Sequence, residues 1–177
     1  MSFIEMEDII RINEGLLRLL WKQVKGVEVG VIPHMTFQEA MDRYGSDKPD
    51  IRFGMEIQDF SAQLNQSGFK VFDDVLARKG IVRGLVVPGG KSYSRGQFDK
   101  LMDIAKKGGA KGLVWVKQDD AGEWQSPASK FLSADKFKML YAAAKATPQD
   151  ALLIVADDFE PACSALSALR LHIVAVR

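Results

Sequence analysis

The chain is poor in the residues that most often carry chemistry. Cys163 is the single cysteine among 177 residues, so no disulfide can form within the chain and a reducing compartment suits it. His34 and His172 are the only histidines, too few with one cysteine to build a zinc site. No stretch approaches the roughly 20 apolar residues of a membrane-spanning helix, and the first residues lack the basic, apolar and small-residue blocks of a secretory signal. An excess of either charge is also missing. With 24 Lys and Arg against 23 Asp and Glu, the net charge of +1 gives no global field toward nucleic acid or membrane, so such contacts would need a local patch. The expectation is a cytoplasmic protein with no membrane partner.

What the chain does have is apolar periodicity: 47% of its residues are apolar, enough to build a core. Ser2-x-x-Glu5 reads as a capping box for a helix from about residue 4 to about residue 25, with Ile9, Ile12, Leu16, Leu19 and Leu20 on one face and Gly26 as its stop. "VEVGVIPHM" gives a short strand-like piece. Thr36-x-x-Glu39 starts a second, short helix that Gly45 ends. The charged stretch "RYGSDKPDIRFG", residues 43 to 54, then reads as a loop. Lys48 is held extended by Pro49, and Ser46, Asp47 and Asp50 are turn formers.

From Phe69 the pattern changes. "FKVFDDVL", "IVRGLVV", "GLVWVK" and "ALLIVA" read as strands. Between them lie a helix capped by Ser94-x-x-Gln97 and ended by Gly108-Gly109, and a helix from Ser133 that buries Phe137, Leu140, Tyr141 and Ala144. A last helix begins near Phe159 with Pro161 in its first turn and Ala162, Leu166, Leu169 and Ile173 along one side. Taken alone, the β-α-β order over residues 81 to 118 leans toward a parallel sheet.

None of the candidate motifs completes a catalytic constellation. "GLVVPGGKSYSR" follows a strand and precedes a helix, as a phosphate loop does, but Leu85 stands where that loop needs its first glycine. The acid pairs Asp119-Asp120 and Asp157-Asp158 lack the further oxygen ligands that magnesium requires. Neither histidine sits beside a nucleophile motif, and Cys163 lies in the apolar spacing of the last helix as a small hydrophobe. Trp115 reads as core. Trp124, in a polar loop, reads either as folded back on its strand or as an exposed stacking surface.

The stretch "MTFQEAMDRYGSDKPDIRFG" strongly resembles a segment of the bacterial-type aspartyl-tRNA synthetases, where it leads from the catalytic domain into an inserted GAD domain. The resemblance continues through "SGFKVF", "VPGG" with a following "SR", "GAKGLVWVK", "SKFL" and "ALRL", and so covers essentially the whole chain. It implies an α+β fold: a two-layer inserted domain with a mainly antiparallel sheet, plus helical flanks from a class II catalytic domain. The implied division is residues 1–54 as flank and junction, 55–158 as the inserted domain and 159–177 as a returning terminal helix.

The resemblance also implies a parent enzyme, an aspartate–tRNA ligase that uses ATP and Mg²⁺ to join aspartate to tRNA and works as a cytoplasmic homodimer. The chain reads as a segment between class II motifs 2 and 3, so no catalytic residue and no metal ligand is carried onto it, and inactivity alone is expected. The residues to test for tRNA or domain-junction contact are Arg43, Asp47, Lys48, Asp50 and Arg52, with Lys91 and Arg95 as a second group. The alternative is a standalone tRNA-associated adaptor, since the module also occurs in a subunit of an archaeal glutamyl-tRNA amidotransferase.

Overall fold

A computed structural model of the chain describes residues 3–176, which form two compact units, one ending at Thr36 and one beginning at Phe37. The first is built on helix α1, Met6–Lys25. Its cap lies one turn later than the sequence suggests: the Glu5 amide donates to the Asp8 carboxylate at 3.2 Å, and Ser2 lies outside the described residues. Gly26 ends the helix at φ +67°, a left-handed conformation that glycine adopts without penalty. The residues after it do not form a strand. A strand needs a neighbouring edge, and this unit offers none. The segment is instead held along the polar stripe of α1: Arg18 donates to the Val29 carbonyl at 2.6 Å, Glu14 meets His34 at 2.6 Å, and Lys22 meets Glu28 at 2.9 Å. The apolar stripe Ile9, Ile12, Leu16, Leu19 and Leu20 stays exposed.

The second unit opens with α2, Phe37–Tyr44, and continues through β1, Gln58–Asp59, and α3, Ser61–Leu64. Next come α4, Lys70–Ala77, and β2, Ile81–Val87. A 3-10 turn at Gly90–Ser92 leads to α5, Arg95–Lys107, then β3, Val114–Gln118, and β4, Trp124–Gln125. Helix α6, Ala134–Ala144, strand β5, Ala151–Asp157, and helix α7, Phe159–Ala175, complete it. The unit thus takes in the junction stretch and the terminal helix as well as the residues between them.

The sheet order is β1-β2-β5-β3-β4, and every pair is antiparallel. Strands β2 and β3 run in the same direction, as the β-α-β order suggests, but β5 is inserted between them. The parallel sheet is therefore replaced by a split β-α-β arrangement.

Strand β5 is buried along all seven residues because both of its faces are covered. Leu153 and Val155 join Leu85, Val87, Phe98, Leu101, Leu166 and Leu169 beneath α5 and α7. Leu152 and Ile154 join Phe60, Leu64, Phe72, Val82, Phe137 and Leu140 beneath α3, α4 and α6. The α+β class stands, but helices on both faces make three layers instead of the two expected. A continuous apolar run such as "ALLIVA" is what a strand with no solvent face requires.

The stretch "FKVFDDVL", residues 69 to 76, expected as a strand, forms helix α4 from Lys70 to Ala77. Its β-formers also fit a helical period: Phe72 and Val75 are buried while Val71 is exposed. The deciding contacts are made by Asp73, whose carboxylate accepts from the amides of Ser67 at 2.9 Å and Gly68 at 3.0 Å, tying the preceding turn to the helix.

Asp157 closes the sheet. Its buried carboxylate accepts from the amides of Asp158 at 2.9 Å and Lys111 at 3.0 Å, the Lys111 ammonium at 3.1 Å and Arg78 at 3.2 Å. Burial alone would raise its pKa, but these donors outweigh burial and hold the group below the ordinary carboxylate value. Since the folded-state pKa is the lower one, the stabilisation is full above the unfolded value of about 3.9 and is lost as pH falls through the folded value. Asp157→Asn is expected to cost about 2 kcal/mol at neutral pH, and its deficit against wild type should shrink below about pH 4. Urea denaturation at both pH values measures this.

Candidate functional site

The residues singled out by the sequence fall in two places. The first is the loop after α2. Ala40 and Tyr44, at helical spacing, bury one face of α2 toward α7, and Gly45 ends the helix at φ +72° with its amide on the Met41 carbonyl. A Cβ at Gly45 would overlap the carbonyl oxygen of Cys163 in α7, so the position needs glycine for space as well as for conformation.

From Gly45 to Glu56 the chain forms a closed loop. Its base is fastened twice. The Ile57 amide donates to the Arg43 carbonyl at 2.8 Å, and the Arg43 side chain reaches Glu56 at 2.6 and 3.1 Å and Glu39 at 2.6 Å. Bidentate pairing of this kind fixes orientation as well as charge. Arg43 lowers the Glu56 pKa, and Glu56 and Glu39 in turn raise that of Arg43. Further along, Ser46 accepts from the Lys48 amide at 3.2 Å. Asp50 accepts from the Arg52 amide at 3.0 Å and its Nε at 2.9 Å, and Arg52 Nη2 contacts the same carboxylate. These contacts, the Arg52 side chain first, hold the Asp50 carboxyl down at about 2. Asp47 and Lys48 are exposed, and neither side chain forms an ion pair with another described residue.

The centre of the loop is occupied by the arginine of the "ALRL" segment, a residue not among those singled out for junction contact. Arg170, from α7, is 1% exposed. Its Nε donates to the Met55 carbonyl at 2.8 Å, and its Nη2 donates to those of Gly54 at 3.1 Å and Asp50 at 3.3 Å. The guanidinium also lies 4.8 Å from the ring centres of both Tyr44 and Phe53. Burial lowers its pKa, opposed by Tyr44, Asp50 and Glu56, but a guanidinium stays charged at neutral pH. A second arginine joins α2 to the sheet: Arg83 on β2 meets Asp42 at 2.7 Å and Asp59 at 3.4 Å, and lies 5.0 Å from the Phe159 ring centre.

The second group sits at the far end of β2. Lys91 is in the 3-10 turn, its ammonium 3.1 Å from Asp120. The amide of Gly89 donates to the buried Asp150 carboxylate at 2.9 Å and that of Lys91 to the Gln149 carbonyl at 3.0 Å. These amides are already used, which agrees with the glycine spacing in rejecting a phosphate loop. Arg95 is the exposed first residue of α5, whose Ser94 cap is reciprocated by Gln97 as the sequence indicates. No hydrogen bond or ion pair joins this group to the loop among the described residues.

Arg95 lines a cleft of about 540 Å³ floored by Phe98 and Trp115, which stack with centroids 4.4 Å apart. Trp124 packs instead on the opposite face of the sheet, 4.7 Å from Tyr141, so it is the folded-back tryptophan. Trp115, expected in the core, packs against it but is half-buried and also lines this cleft.

This α+β unit, with a split β-α-β sheet covered on both faces, coincides with a known domain type. Residues 72–166 match the GAD domain, and the chain belongs to that family. It is also 47% identical over 173 residues to the aspartate–tRNA(Asp/Asn) ligase of Moorella thermoacetica, covering 97% of this chain. To the aspartate–tRNA ligases of Lactiplantibacillus plantarum and Clostridium perfringens it is 45% and 44% identical, over 96% and 98% of the chain. The chain spans about 29% of the length of each of these relatives.

Two substitutions test the loop's architecture. Arg170→Met leaves three inward carbonyls without a donor and is expected to cost about 3 kcal/mol, with new protease cleavage confined to residues 45 to 56. Gly45→Ala should cost at least about 2 kcal/mol by urea denaturation, since both conformation and space oppose it.

Proposed function

We propose that this chain is the inserted module of an aspartate–tRNA ligase. The module is noncatalytic by itself and holds its place in the parent through the loop that Arg170 organises. The observation that carries this reading is identity of 43 to 47% along nearly the whole chain to ligases more than three times its length. The parent joins aspartate to tRNA through an activated aspartyl intermediate made with ATP, and acts in the cytoplasm as a homodimer. No described helix is long and apolar enough to cross a membrane.

ATP and Mg²⁺ are assigned in this reading to the remainder of the parent. Among the described residues, no three His, Cys, Asp or Glu side chains gather where a metal ion could be held. Asp157 is spent on amides and cations, and Asp119 on the amides of Ala121 and Glu123. The phosphate clamp that adenylate formation requires is therefore assigned to the remainder of the parent.

Within the loop, Lys48 is the cation without an ion-pair partner among the described residues, and Arg52, its arginine, is exposed. These two are the proposed contacts to a tRNA backbone. Aspartate-dependent ATP–pyrophosphate exchange is expected from the full-length parent and not from this chain, and turnover by the chain alone would contradict the reading. In the parent, Lys48→Ala or Arg52→Ala should lower the salt slope of tRNA binding by about 0.7 to 0.9 for each phosphate no longer engaged. An unchanged slope would leave the loop a purely structural role.

A further inference from the structure

The cleft beside Arg95 carries more than its position indicates. Lys117 stands on its wall with its ammonium fixed by the carbonyls of Lys91 at 3.0 Å and Tyr93 at 2.8 Å, and 5.7 Å from the Phe98 ring centre. Two carbonyls use two of its three protons, and no carboxylate lies within ion-pair distance among the described residues. The result is an immobilised positive charge that nothing described in the domain neutralises. Arg95, exposed and likewise without an ion pair, supplies a second cation on the same cleft. Asp99 there is the one opposing charge.

Between these cations the floor is aromatic. Phe98 stacks on the Trp115 indole, and Trp115 is half-buried where it lines the cleft. Gln125, Ser126 and Ser129 line the rim and present amide and hydroxyl groups able both to donate and to accept hydrogen bonds. A second cleft of about 500 Å³ meets the first across Lys117 and Gln125; Lys91 lines it together with Asp119 and its ion-pair partner Asp120, so its cation is balanced and the first cleft is the more positive of the two.

We propose that the cleft between α5 and the β3–β4 hairpin binds unpaired RNA, with a base against Trp115 and adjoining phosphates on Arg95 and Lys117. The half-buried Trp115 ring beside one fixed cation and one exposed cation suits a base with its phosphate, and the rim groups suit the edge of that base. A duplex cannot present an unstacked base to such a floor. An acidic peptide could use the cations but leaves the ring surface without a partner. This inference rests on the tRNA partner of the proposed parent and adds a site that the loop residues do not touch.

The test is direct binding of labelled single-stranded oligoribonucleotide to this chain, followed by anisotropy at several salt concentrations. Trp115→Leu is expected to weaken binding at least about fivefold with the salt slope unchanged. Arg95→Ala should weaken it and lower the slope by about 0.7. Lys138→Ala, on α6 across the sheet, should change neither. Arg95 is exposed, so its variant folds even if the Trp115 variant does not. Absence of binding, wild-type affinity in Arg95→Ala, or equal binding of a duplex or an acidic peptide overturns the proposal. Because the parent reading is tested separately by aspartate-dependent exchange in the full-length enzyme, failure of one is distinguishable from failure of the other.

Discussion

A buried guanidinium must have its hydrogen bonds met, and Arg170 meets them with main-chain carbonyls of a loop more than a hundred residues earlier in the chain. That requirement organises one side of the domain. Carbonyls of Asp50, Gly54 and Met55 turn inward, which places Phe53 and Tyr44 against the guanidinium. The ends of the loop then meet, so that Arg43 and Glu56 can pair. Charge on the loop is consumed mainly inside it, and a stretch that looks like a reactive cluster is a clasp.

Because α7 bears Arg170 along the same buried stripe as Leu166, Leu169 and Ile173, the clasp and the core are joined by one helix. Arg83 does the same from the sheet, reaching Asp42 and Asp59 from β2. The loop and α2 are therefore tied to the most buried strands of the domain. A loop so tied can hold an inserted module in register with whatever precedes it. This is the physical content of the proposal that the chain supports, and does not perform, the chemistry of a ligase.

Local features are legible in the sequence, and distant ones are not. The Ser94 and Ser133 caps, the stop at Gly26 and the three long strands depend on neighbours within a few residues, and each stands in the structure where the pattern puts it. Helix α4 reads as a strand because Phe69 to Leu76 satisfies either period. Only the capture of the Ser67 and Gly68 amides by Asp73 decides it. The insertion of β5 between β2 and β3 comes from pairing across some 70 residues, for which no local signal exists. Arg170 is quoted only within "ALRL" and given no role, because its partners are carbonyls more than a hundred residues earlier in the chain. Trp115 reads as core because alternation records which face a residue takes, and not whether a helix covers that face completely.

If the loop belongs to the cooperative core of the domain, and is not a flexible connector, its amides must share the protection of the central strand. Native-state hydrogen exchange at the Gly45 and Ile57 amides, which donate to Met41 and Arg43, tests this most directly. Both are predicted to exchange only with the global opening that releases the β5 amides. Exchange at the rate of a fraying loop, while β5 stays protected, would contradict the clasp.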